Sequence, residues 1–165
     1  MSDIHQAKSQ TDVDLHFLRM ASNVAGETDD PKAKIDESAA VGAVLVPQHG
    51  DPLSAANRIP LRLRRVGYKV VGANSPDRYL KLEHAERAVI FAAARALVDM
   101  RDATIYCTRF PCAACARAIV DVGIKRLVVG QGISAESPES PWIEEQRVAY
   151  AMLRDAGITL RYLSR

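Results

Sequence analysis

Apolar residues along this chain recur with two spacings. VGAVLV (41–46) is a continuous apolar run, as a strand buried on both faces requires. PQHGDP then turns the chain, and LSAAN (53–57) returns as the second arm of a hairpin. ATIYCT (103–108), RLVVG (126–130) and ITLRYL (158–163) read as three more strands. The intervening segments follow helical spacing. One helix, starting near Asp12 or Asp14 as its cap, carries Leu15, Phe17, Leu18, Met20 and Ala21 and fails near Gly26. HAERAVIFAAARALVDM (84–100) has strong helix propensity and a broad apolar face. PCAACARAIVDVG (111–123) places Pro111 in the first turn and Gly123 at the end of another helix. WIEEQRVAYAMLRDAG (142–157) is amphipathic and stops at Gly157.

The rest is punctuation. GETDDPKAKIDES (26–38) is charged and broken by Pro31, residues 58–81 are basic and irregular with room for a short helix, and QGISAESPESP (131–141) is a loop. A hairpin followed by alternating strands and helices predicts an α/β fold: a three-layer α-β-α sandwich around a central mixed five-stranded sheet. Residues 1–11 read as a flexible tail and 12–165 as a single domain, a length that buries enough surface to be stable.

Charge and composition narrow the function. The net charge of +2 is close to balance, which argues against a nucleic-acid partner. No run of about 18 apolar residues is present, so no membrane span is expected. The start, MSDIHQAKSQTDVD, lacks the basic and apolar parts of a secretory signal, which predicts a cytoplasmic location. The three cysteines, Cys107, Cys112 and Cys115, fall within nine residues. An odd count in a reducing compartment points to metal or redox chemistry rather than a disulfide framework.

The chemistry is carried by HAE at 84–86 and PCAAC at 111–115. Zinc prefers four ligands, and imidazole and thiolate suit it. His84, Cys112 and Cys115 supply three, which predicts one Zn2+ per chain with a fourth position for water, as in a catalytic site. Cys112 and Cys115 are three apart, so one helical turn brings them together, and a helix N-terminus there favours thiolate. Residues two apart on a helix point nearly opposite ways. His84 and Glu86 can therefore share a site only if the helix end itself faces it. The implied picture is two helix N-termini aimed at one zinc, with Glu86 placed to move a proton to or from a zinc-activated water.

H-x-E followed by P-C-x-x-C is the signature of zinc nucleobase deaminases. The chain resembles the cytidine and deoxycytidylate deaminase superfamily, and CTRFPCAACARAIVDVGIKRLVV looks like deoxycytidylate deaminases in particular. The resemblance implies the cytidine deaminase-like fold and hydrolytic release of ammonia from a cytosine-type nucleotide or nucleoside, with a dCMP-like compound favoured. It also implies self-association. It suggests that Asn57 in SAANRIP contacts base or sugar and that the Ala85 backbone touches the base. Arg109 and Phe110, just before the thiols, are expected at the pocket rim, where they help to select substrate. Other rings hosted by the same fold are the alternative: guanine, a modified cytosine, an aminopyrimidine or tRNA adenosine. A non-catalytic zinc module is a further one, against which the presence of Glu86 counts.

Several features have a plainer reading. CxxC alone fits a structural zinc or a redox pair, and it gains meaning only beside HAE. Cys107 reads as a buried apolar residue. His5, His16 and His49 fall at ordinary surface positions, and Glu83 reads as a solvated carboxylate pointing away from the metal. Arg62, Arg64 and Arg65 fit either a substrate phosphate or a solvated loop or subunit contact. Trp142 fits a lid over the pocket or an anchor for the last helix.

Overall fold

The computed structural model describes residues 9–75, 78–130 and 141–163. The first eight residues and the connection 131–140 lie outside the described residues, as do the expectations attached to them. Five strands form one sheet: β1 (Gly42–Val46), β2 (Leu53–Ala56), β3 (Thr104–Cys107), β4 (Arg126–Val129) and β5 (Thr159–Tyr162). Their spatial order is β2-β1-β3-β4-β5. β1 runs antiparallel to β2 and β3, whereas β3, β4 and β5 are parallel. The helices are α1 (Gln10–Ala25), α2 (Leu61–Arg65), α3 (Arg78–Lys81), α4 (Ala85–Arg95), α5 (Ala113–Asp121) and α6 (Pro141–Asp155).

Strand side chains alternate between two cores. Ala43, Leu45, Ile105, Cys107, Leu127 and Val129 pack with α4, α5 and α6 on one side. Val44, Tyr106 and Val128 pack with Leu18 and Ala21 of α1 on the other. The result is the expected three-layer α-β-α sandwich with a mixed sheet. Cys107 is fully buried in the larger core, as its sequence context suggested.

Three boundaries differ from expectation, each for a local reason. α1 is capped by Ser9, not by Asp12 or Asp14. Asp12 is the returning half of a capping box, and Asp14 is fully buried on the inner face of the helix. α4 ends at Arg95, five residues short of the predicted Met100. Leu97 takes a left-handed conformation (φ 56°), and the amides of Leu97 and Val98 bond back to the carbonyls of Ala94 and Ala93. That is a Schellman stop built without glycine. The segment 26–38 is more ordered than a plain loop, with 3-10 turns at Pro31–Lys34 and Glu37–Ala39 capped by Asp30 and Asp36.

β1 and α1 approach closely at Gly42, where a Cβ atom would lie 1.9 Å from the carbonyl oxygen of Ala21. Backbone cannot yield there as a flexible side chain would. Gly42→Ala should therefore cost at least about 2 kcal/mol. Thermal unfolding should show a midpoint lower by roughly 4–8 °C.

Candidate active site

His84 is the N-cap of α4 and Cys112 the N-cap of α5, both with extended backbone. Pro111 therefore precedes the cap instead of opening the helix. This placement resolves the spacing problem in HAE. The cap residue lies outside the helical periodicity, so His84 and Glu86 can face one point. Cys115, one turn into α5, is buried beneath them.

Nδ1 of His84 lies 3.5 Å from Sγ of Cys112 and 3.6 Å from Sγ of Cys115. The three ligand atoms fall within 4.8 Å of one another. Zn–N and Zn–S bonds at a tetrahedral angle require an N···S separation of about 3.6 Å. A single ring nitrogen has one hydrogen to donate, so two sulfurs at this distance suit a shared cation better than two hydrogen bonds. The donor set and its spacing fit zinc. Among the described residues no other group of His, Cys, Asp or Glu meets the same condition.

Glu86 is buried beside these ligands, and its Oε2 is the one buried side-chain oxygen or nitrogen without a hydrogen-bond partner among the described residues. Burial pushes its carboxyl up, against the opposing pull of His84. The two thiols share a proton. Cys112 is held at about 3 by the hydrogen bond from Cys115 and by His84, while Cys115, as the donor, is pushed well up. Metal binding requires both as thiolates, so uptake releases that proton.

A pocket of about 300 Å3 opens over this cluster. Asn57, Ala85, Arg109 and Phe110, the four expected substrate contacts, all line it with His84, Glu86 and Cys112. Asn57 also fastens the 28–41 segment. Its Oδ1 accepts from Thr28 Oγ1 (2.8 Å) and the Val41 amide (2.9 Å), and its Nδ2 donates to the Ala39 carbonyl (2.9 Å). The Arg109 guanidinium donates to the Ser38 carbonyl at 2.7 Å, and the Phe110 ring stacks on Tyr162 with centroids 6.1 Å apart.

Other expectations are redirected. Arg62, Arg64 and Arg65 are exposed on α2, away from the pocket lining, and Arg64 pairs with Asp29 at 3.4 Å. Glu83 is tied rather than solvated: its Oε1 accepts from Arg87 Nε (2.5 Å) and from the His84 amide (3.2 Å). His16 and His49 are exposed and line no part of the pocket. The side chain of Trp142 lies outside the described residues. The pocket also contains residues that the sequence did not single out: Asp30, Lys32 and Asp36 from the 28–41 segment, Arg78, and Gln146 of α6. Only Gln146 leaves a trace in the pattern, as a buried polar residue on the apolar stripe with Ala149 and Leu153.

Comparison with known proteins agrees with this geometry. Residues 11–131 match the family described as the cytidine and deoxycytidylate deaminase zinc-binding region. An uncharacterised deaminase in the luxG 3' region of Aliivibrio fischeri is 31% identical over 153 residues, covering 89% of this chain and 90% of that protein. Among solved structures, the dCMP deaminase of cyanophage S-TIM5 in complex with dCMP and dUMP superposes with a TM-score of 0.69 at 15% identity, over 94% of this chain and 100% of that one. A diaminohydroxyphosphoribosylaminopyrimidine deaminase/reductase of Thermotoga maritima gives a TM-score of 0.63 at 22% identity, covering 93% of this chain and 37% of the larger protein. Among the described residues no helix is long and apolar enough to cross a membrane.

Proposed function

The chain belongs to the cytidine and deoxycytidylate deaminase family, and from that premise we propose that it is a zinc-dependent hydrolytic deaminase of a cytosine-type base, nucleoside or nucleotide. The observation that carries the reading is the unpartnered, buried Oε2 of Glu86 beside a His/Cys/Cys set with zinc spacing. A buried carboxylate oxygen without a partner is costly, and it persists where chemistry needs it.

His84, Cys112 and Cys115 would hold the metal, which supplies a Lewis acid able to make water nucleophilic near neutral pH. Glu86 would take a proton from the attacking water and pass it to the ring nitrogen as oxygen bonds to the amine-bearing carbon. It would then move the remaining proton of the added hydroxyl to the exocyclic nitrogen. The C–N bond breaks, ammonia leaves and the ring keeps a carbonyl. The Ala85 backbone and the second Nδ2 hydrogen of Asn57 orient the ring and its substituent. Arg109 and Phe110 shape the rim. We place the enzyme in the cytoplasm as a homo-oligomer acting on a small molecule, with no nucleic-acid or membrane partner.

The purified protein should carry about one zinc per chain, as three protein ligands and an open position imply. Metal analysis that finds none after gentle purification removes the basis of the reading. Ammonia release should be measured over cytosine, cytidine, dCMP, guanine, a modified cytosine, an aminopyrimidine and tRNA adenosine. The last two are included because proteins of this fold are named for those rings.

A further inference from the structure

Residue 83 is the joint between the candidate metal ligands and the wall of the pocket. His84 caps α4, but its side chain makes no cap bond to the helix, and its Nδ1 faces the two thiols instead. In a capping box the amide of the cap residue is held by an acceptor side chain three residues on. That position here is Arg87, which can only donate. Glu83 takes over the task. Its Oε1 accepts from the His84 amide at 3.2 Å and from Arg87 Nε at 2.5 Å. The Glu83 and Arg87 side chains are 20% and 28% exposed, so water competes little for these bonds. The backbone of Glu83 is engaged as well. It exchanges two hydrogen bonds with Arg58, of 2.9 and 2.8 Å, in an isolated β-bridge. Arg58 directly follows Asn57, whose side chain fastens the 28–41 segment.

We propose that Glu83 is a positioning residue, which sets His84 against the thiols and fixes the separation between the metal site and Asn57. The inference rests on the deaminase reading of the same pocket. Glu83 is not among the pocket-lining or ligand residues, so it acts through its neighbours. A ligand at a helix end is only as well placed as the peptide that carries it, because the first amides of a helix have no partner within the helix. Here one side-chain oxygen holds that peptide, and Arg87 holds the side chain. Displacing the ligand costs metal affinity, and displacing the pocket wall costs the alignment of ring and nucleophile. Both bonds go to one oxygen, so the demand is for an acceptor at that point and not for a charge.

Two variants separate position from charge. Glu83→Gln keeps the acceptor oxygen and loses the charge. Glu83→Asp keeps the charge but is one methylene too short to reach both the amide and Arg87. Zinc affinity, measured by competition with a chromogenic chelator, should fall about tenfold in Glu83→Asp and stay within about threefold of wild type in Glu83→Gln. The visible absorption bands of the cobalt-substituted protein should shift in the first variant and not in the second. With zinc saturating, kcat on the best ring of the ammonia panel should follow the same order, and KM should change less than kcat. Losses in Glu83→Gln as large as those in Glu83→Asp would assign the effect to charge and overturn the proposal. Wild-type zinc affinity and cobalt spectrum in Glu83→Asp would overturn it too, whether or not the melting temperature falls, since a purely structural residue behaves in that way. If the wild type releases ammonia from no ring, the deaminase reading fails instead, and zinc affinity and the cobalt spectrum still decide the role of Glu83.

Discussion

Glu86→Gln should lower ammonia release by about 10³-fold while leaving the zinc content unchanged. Glu86 does not belong to the metal-ligand group, so the amide has no reason to expel the ion. Its proposed role is proton transfer at two points of the reaction, and general acid–base groups contribute about 10²–10⁴-fold. Glutamine keeps the shape and loses the proton chemistry, which makes it a cleaner test than alanine. Fold damage can be separated from lost chemistry by thermal unfolding. Glu86 is buried with an unpartnered oxygen and a carboxyl pushed up by burial, so the wild-type residue is a strain on the fold. The variant should melt at the same temperature or higher. Turnover within tenfold of wild type, with metal retained, would remove Glu86 from its assigned role.

Asp14→Ala should be the most damaging substitution far from the metal. Asp14 lies in α1, fully buried, and gathers the sheet beneath it. Arg126 holds it with two bonds of 2.8 and 2.6 Å, Arg161 with one of 2.6 Å, and the Tyr106 hydroxyl donates at 3.0 Å. These partners come from β3, β4 and β5, so one carboxylate ties α1 to three strands. Removing it leaves a buried Tyr106 hydroxyl and two arginines without their counter-charge. The arginines are 20% and 31% exposed and can partly rehydrate, which places the cost near the lower end for such a loss, about 3 kcal/mol. The melting temperature should fall by roughly 6–12 °C.

The same network makes stability fall in acid. Burial alone would raise the Asp14 carboxyl, but the bonds from Arg126, Gln10 and Tyr106 outweigh it and hold the group at about 2, below its ordinary 3.8. A carboxylate depressed in the folded state stabilises above its unfolded value. That contribution, about 2 kcal/mol, is lost as pH falls from about 4 through 2. Asp14→Ala should lack this component, so the stability difference between wild type and variant should narrow in acid. A gap that stays constant from pH 6 to pH 2 would contradict the assignment.

The element order was legible because burial leaves a period in the sequence. The continuous run of β1 marked a strand covered on both faces, and Gly123 and Gly157 marked the ends of α5 and α6. The end of α4 was not legible, since Leu97 performs at its terminus what glycine performs elsewhere. Asp14 was hidden for a similar reason. A carboxylate on an apolar helix face reads as a cap until the arginines that neutralise it, 112 and 147 residues away, are brought beside it.

The sequence by itself named the candidate metal ligands and the proposed proton carrier, because zinc and proton transfer demand particular side chains at close spacing and those demands appear as HAE and PCAAC. Only the tertiary structure decided which charges line the pocket. The basic stretch that caught the eye, Arg62 to Arg65, lies outside the pocket lining, while Asp30, Lys32 and Asp36 line it from a segment that reads as a loop. Ligand chemistry is local and leaves a motif. The field inside a pocket is a sum over residues that folding brings together from distant parts of the chain, and no spacing along the sequence records whether a cation is free or already paired.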